Sequence, residues 1–504
     1  MSVPDRLAPL EMDPEEFRTL GHRLVDRIAA FLDSIRTRPV TSGESRRDIL
    51  AALGTGPLEE RGVAAAQLLE QATSLLMDHS LLNGHPRFLG YITSSAAPIG
   101  MLGDLLAAAI NPNVGAWQLS PMATEIEAQA IRWIAQLVGY PGDCGGIMVS
   151  GGNMANFVGV LAARRARAAW DVRVEGLSGQ PRLTLYATRE THTWLQKAAD
   201  LFGFGTSAIR WIPVDDGHRM DTGALLQQVR DDRAQGCQPF LAVGTAGSVS
   251  LGVVDPLAAI ADICRDEGLW FHVDGAYGAA GAILPDAGAD LRAMARADSL
   301  ALDPHKWLYA PLEAGCALVR RPADMVAAFS FHPEYYRFDA PDSDRRTNYY
   351  EYGLQNSRGF RALKVWLGLR RAGREGLVRM LADDIALARQ LKADVDREPS
   401  LESYTRHLSI TTFRYVPEDL APGAPGDEEY LNALNEELLQ RLQAGGEAFL
   451  SNAVVNGRFL LRACVVNFRT TSADIRAIPG IVTRVGRATD AELRPTRAAR
   501  RSPP

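Results

Sequence analysis

Along the first 35 residues the apolar positions recur at helical spacing: Phe17, Leu20, Leu24, Ile28, Phe31 and Ile35 fall on one face. The spacing predicts an amphipathic helix over 13–35, with Asp13 as its cap, Pro14 in the first turn and Glu16 completing a capping box. A second helical pattern covers 122–139, with Ile126, Trp133, Ile134 and Leu137 on its apolar face. From residue 182 the pattern changes. Short apolar runs at 183–187, 209–214, 240–243, 270–273, 299–302 and 316–320 alternate with helical stretches at 188–202, 225–229 and 257–264. Continuous short runs fit strands buried on both faces. Their alternation with helices predicts a mostly parallel sheet with helices on both sides.

Glycines around 370–376 suggest a boundary, and beyond them a smaller α/β unit is expected. Its helices fall at 386–395 and 430–442, and its strands at 408–415 and 459–468. The expected organisation is an N-terminal helical segment over 1–98, a large domain over 99–375, a small C-terminal α/β domain over 376–487 and a disordered polar tail over 488–504. Between 330 and 350 there is no periodicity, and five charges crowd between Asp339 and Arg346. Such a stretch predicts a mobile loop that acts as a lid.

Composition narrows the function classes. The chain has 504 residues, 46% of them hydrophobic, enough for a large core and more than one domain. A net charge of −6 points to neither nucleic acid nor an anionic membrane. The most apolar segment, 96–110, is interrupted by Asp104 and two glycines, so no membrane span is expected. Five scattered cysteines without a CxxC pair predict neither a disulfide framework nor a metal site. They fit a reducing compartment, and with no signal-peptide core in the first thirty residues a cytoplasmic location is expected.

The candidate chemistry lies between Leu269 and Cys316. One apolar run ends at Asp274, and the next ends in Asp303-Pro304-His305-Lys306-Trp307. Open α/β sheets place their ligands at such strand ends. A Lys and an Asp held there suit pyridoxal phosphate. The amine forms a Schiff base with the aldehyde, and the carboxylate keeps the ring nitrogen protonated so that the ring accepts electrons. The Gly151-Gly152 turn before a helix start offers backbone N–H groups for a phosphate.

These residues resemble the group II pyridoxal-phosphate amino-acid decarboxylases. The likeness rests on His272-Val273-Asp274-Gly275-Ala276 and on His305-Lys306, and it extends from about Phe17 to about Thr471. It implies the fold type I of pyridoxal-phosphate transferases, like aspartate aminotransferase, and a homodimer clasped by N-terminal helices. It implies Lys306 as the Schiff-base residue, Asp274 on the ring nitrogen and His192 stacked on the ring. Phosphate donors are implied at Gly152, Asn153 and Met154, and further cofactor neighbours at Thr245, Ala276, Asp303 and His305. The substrate pocket is implied at Tyr91, Ile92 and Trp117, with Arg358 as a candidate for a carboxylate. Tyr335, on the lid, matches the residue that returns a proton after carbon dioxide leaves, with Tyr336 adjacent to it. Ile92 and Gly115 stand where aromatic-specific members often carry rings, so the side chain of the substrate stays open. The expected activity is decarboxylation of an L-amino acid, with an aromatic one favoured. Aldehyde formation or another Cα cleavage, transamination, and an inactive cofactor-binding scaffold are the alternatives.

Overall fold

A computed structural model describes residues 8–331, 346–420 and 426–501, with side chains to residue 494. Its centre is a seven-stranded sheet built from β1 (Gly145–Val149), β2 (Leu183–Thr188), β3 (Ile209–Ile212), β4 (Gln238–Thr245), β5 (Trp270–Asp274), β6 (Ser299–Leu302) and β7 (Gly315–Val319). The order across the sheet is β1-β7-β6-β5-β4-β2-β3. Neighbours from β3 through β6 run parallel, whereas β7 is antiparallel to both β6 and β1. The reversal has a local cause. A parallel partner needs a long crossover, usually a helix, whereas β6 returns directly through residues 303–314. That return carries His305 and Lys306.

Every residue of β1, β2, β5, β6 and β7 is buried, as expected of strands covered on both faces. The main core runs along this sheet, and a second core lies against a four-stranded antiparallel sheet. The smaller sheet consists of β8 (Leu401–His407), β9 (Ile410–Tyr415), β10 (Ser451–Val455) and β11 (Arg458–Cys464), in the order β10-β11-β9-β8. The fold is therefore mixed α/β, with a large, mostly parallel sheet and a smaller antiparallel one.

The helix Ala362–Val395 connects the two sheets and bends at Gly373, whose φ of 62° favours a residue without a side chain. The bend falls within the stretch suggested as a boundary. At the N-terminus, three helices, Pro14–Ser34, Arg46–Leu53 and Ala65–Asp78, precede Pro98–Ile110. Asp13 caps the first through the Glu15 N–H at 2.8 Å, in place of the expected box with Glu16.

The tail needs correction. Residues 488–501, expected to be disordered, continue the helix Ser472–Arg501. Its polar surface is tied down by charge: Arg494 bonds Asp490 at 2.8 Å and Asp419 at 2.6 Å, and Glu492 takes Arg441 at 2.7 Å. These partners lie up to 75 residues away in sequence, so no local apolar pattern announces them. Among the described residues no helix is long and apolar enough to cross a membrane.

Candidate active site

The register of the large sheet sets Thr245 beside Asp274, and Asp274 beside Ala301. Three adjacent parallel strands thus end at one level. Their C-terminal ends open into a cleft of about 170 Å³, lined by Asp274, Ala276, Thr245, Asp303 and Lys306. Gly152, Asn153, His192 and Ile92 close its other sides.

Lys306 Nζ lies 3.2 Å from Asp303 Oδ2. Asp303 is 2% exposed, and its Oδ1 is buried without a hydrogen-bond partner. A buried carboxylate oxygen of this kind is costly unless a further group meets it. His305 Nε2 stands 3.7 Å from Asp303 Oδ2, while its Nδ1 lies 2.7 Å from the Ala314 carbonyl across the β6–β7 return. The Asp274 carboxylate is held at both oxygens. Oδ2 accepts the Trp194 indole N–H at 2.6 Å, and Oδ1 accepts the Ala276 N–H at 3.2 Å. Behind it, His272 is fully buried between Ser299 Oγ and Asn156 Oδ1, each at 2.7 Å. Burial pushes the His272 imidazole down to about 4, against the pull of Asp274, so it is neutral at physiological pH.

His192 faces the open cleft. Burial first, then the Lys306 and Lys197 ammonium groups, hold it below the ordinary histidine range, against the opposing pull of Asp274. Thr245 is anchored from below, its N–H donating to Asp255 Oδ2 at 2.8 Å. Burial raises the Asp255 carboxyl to about 6.

The helix Gly152–Arg167 starts at the cleft, where its first N–H groups have no intrahelical partner. A side chain at Gly152 would put Cβ 2.8 Å from Asp303 Oδ2, so only glycine lets the helix approach so closely. Gly152 and Asn153 reach the cleft, whereas Met154 is partly buried against the main core. An amine, two carboxylates, an imidazole and a helix N-terminus thus meet in one hollow. This set of groups fits a phosphorylated pyridine aldehyde, with the Lys306 amine, the Asp274 carboxylate and the glycine cradle as the specific marks. Among the described residues no cluster of metal-ligating side chains occurs.

Three sequence candidates fall elsewhere. Arg358, the candidate for a carboxylate, precedes the helix Ala362–Val395 and is buried. It pairs with Glu127 at 2.5 Å and donates to the carbonyls of Met148 at 2.6 Å and Val114 at 2.8 Å. Glu127 in turn accepts the Met148 N–H at 2.9 Å. Because β1 is an edge strand, this ion pair supplies the hydrogen bonds a neighbouring strand would make. The guanidinium is thereby committed and unavailable to a substrate. Tyr91 is half exposed, and its carbonyl takes Arg462 at 3.1 Å, outside the cleft lining. Trp117 bonds Glu125 at 3.0 Å under the Arg346 guanidinium, also outside it. Tyr335 and Tyr336 lie outside the described residues.

Sequence reading missed Trp194, Asn156, Glu190 and Tyr277, all of which line the cleft. Trp194 sits two residues after His192, and its apolar character reads as helix core. It missed Asp384 as well. This residue, on the long helix, accepts Trp307 Nε1 at 2.8 Å and Tyr309 Oη at 2.7 Å, and so pins the segment that carries Lys306. Burial raises the Asp384 carboxyl to about 7. A carboxyl raised on folding stabilises fully below the ordinary carboxylate range, and the benefit disappears as pH rises through 7. The loss reaches at most roughly 4 kcal/mol. Asp384→Asn keeps an acceptor and removes the titration. Thermal midpoints should therefore fall less for the variant than for the wild type between pH 5 and pH 8, and parallel slopes would refute the assignment.

Comparisons with known proteins agree with this geometry. The family model for the pyridoxal-dependent decarboxylase conserved domain matches residues 57–416. An aromatic-L-amino-acid decarboxylase of Bacillus atrophaeus is 33% identical over 470 residues, covering 93% of this chain and 95% of that protein. A phenylacetaldehyde synthase of a Rosa hybrid cultivar is 29% identical over 472 residues, covering 90% of each. The crystal structure of Oryza sativa TDC with PLP and tryptamine superposes with a TM-score of 0.88 at 28% identity, covering 96% of this chain and 99% of that one.

Proposed function

The chain belongs to the pyridoxal-dependent decarboxylase family, and from that premise we propose that its substrate is an L-amino acid with an aromatic side chain, converted to the amine and carbon dioxide. It is a pyridoxal-phosphate-dependent carboxy-lyase. The observation that carries the reading is the convergence of Lys306, Asp274, Asp303 and His192 on one cleft. When bound, pyridoxal phosphate supplies an aldehyde for an amine to capture and a protonated ring that takes up the electron pair released with carbon dioxide.

This chain's residues do the rest. Lys306 would hold the cofactor at rest through its amine and would yield that place to the substrate amine. Asp274 would face the ring nitrogen, where a fixed negative charge matters most as electrons arrive. His192, which lines the cleft, would cover one face of the ring. The N–H groups of Gly152 and Asn153, at the helix start, would meet the phosphate. After carbon dioxide leaves, Tyr335 or Lys306 delivers a proton to Cα.

An aromatic side chain is supported by the Bacillus atrophaeus relative, and by Ile92, Val249 and Tyr277 as the apolar part of the cleft wall. Aldehyde formation is the second reading, favoured by the Rosa synthase at a similar distance. A tyrosine at 335 supports the amine instead, because members with phenylalanine there tend toward the aldehyde. The helix Pro98–Ile110 leaves Leu102, Leu105, Leu106 and Ile110 more than half exposed, which supports a homodimer.

One experiment tests the reading: carbon dioxide, amine, aldehyde and peroxide are measured across the common amino acids with cofactor-loaded enzyme. Equal carbon dioxide and amine, greatest for aromatic substrates, is expected. Aldehyde with peroxide would overturn the amine assignment, and an active monomer in sedimentation under the same conditions would overturn the dimer.

A further inference from the structure

Trp194 is 1% exposed, and its indole is a donor only, so its N–H needs an acceptor. That acceptor is Asp274 Oδ2 at 2.6 Å. The ring cannot swing away. It stands edge-on to His272 at 5.6 Å and 81°, and His272 is itself held between Ser299 and Asn156. A rigid line of contacts therefore runs from Asn156 through His272 and Trp194 to the carboxylate. The same residue acts in a second direction. Its backbone N–H donates to His192 Nδ1 at 3.2 Å. A neutral imidazole accepts at one nitrogen and donates at the other, so this bond leaves the proton on Nε2.

We propose that Trp194 is a positioning residue that sets both groups facing the cofactor ring, Asp274 through its indole N–H and His192 through its backbone N–H. The inference rests on the reading that Asp274 meets the ring nitrogen. An aspartate side chain turns about two bonds, and a carboxylate bonded only at Oδ1 is free to pivot about that oxygen. The indole removes this freedom by holding Oδ2 as well. With Oδ2 and Oδ1 each anchored once, the remaining lone pairs are left for a ring N–H.

The test replaces only the donor. Trp194→Phe keeps an aromatic body and removes the N–H, and it leaves the backbone bond to His192 in place. The cofactor dissociation constant, read from fluorescence quenching of the cofactor-free protein, should rise about 10-fold or more. In the loaded enzyme kcat should fall by a similar factor while KM for the amino acid stays within about twofold. A purely packing role would lower thermal stability without moving the dissociation constant, and that result overturns the proposal. If the phenylalanine variant fails to fold, benzothienylalanine placed at 194 exchanges N–H for sulfur at nearly constant ring size, and the same shifts are expected of it. Wild-type protein that takes up no cofactor would overturn the decarboxylase reading and this proposal with it. Wild type that binds normally beside an unaffected variant overturns this proposal alone.

Discussion

Lys306→Ala is expected to abolish the borohydride-reducible visible absorbance of the cofactor-loaded protein and to lower turnover by about 10³-fold or more. The side chain is the amine that the cleft offers to an aldehyde, 3.2 Å from Asp303 and on the short return between β6 and β7. Alanine removes the nucleophile and a proton carrier together. It also strips Asp303 of its cation. Because Asp303 Oδ1 already lacks a partner, the carboxylate would then be buried with neither oxygen paired to a charge, costing about 1–3 kcal/mol of stability. The cofactor should still be retained through the phosphate donors and Asp274, but in a form that borohydride does not fix to the chain. A reducible absorbance that survives the substitution would remove Lys306 from its role.

Asp274→Asn should leave binding of the amino acid nearly intact and lower kcat by about 10²–10³-fold. The amide has almost the same size, and its oxygen can accept the Trp194 N–H at Oδ2. Its NH₂ then faces the Ala276 N–H, which loses an acceptor. More importantly, the negative charge opposite the ring nitrogen is gone, and that charge matters most when electrons flow into the ring. An effect confined to the transition state appears in kcat and not in KM. Steady-state kinetics with saturating cofactor would decide it. A kcat within about threefold of the wild type would show that Asp274 does not face the ring nitrogen.

Much of this site was legible before any coordinates. Asp274 and Lys306 were visible because each ends a short apolar run, and runs of that kind deliver their last residue to one edge of a parallel sheet. His192 and Gly152 came from the resemblance as well as from turn chemistry. Arg358 was misplaced for a physical reason. An arginine near a helix start reads as exposed, and nothing nearby in sequence reveals that Glu127, 231 positions away, will bury it. Trp194 and Asp384 escaped for the opposite reason. One looks like ordinary helix core and the other like a solvated helix charge, yet each turns its polar atom onto an active-site segment.

The order of apolar runs, the strand-end carboxylate and amine, and the glycine turn before a helix are local patterns, and the chain alone determined them. They specified a mixed α/β protein built for pyridoxal phosphate. Tertiary structure decided which polar atoms meet across long separations: indole 194 on carboxylate 274, guanidinium 358 on the edge of β1, carboxylate 384 under the Lys306 segment, and the charged helix beyond 488. The reason is that periodicity records which face of an element is buried, whereas a hydrogen bond depends on the position of two atoms, and that position exists only once the sheet is assembled.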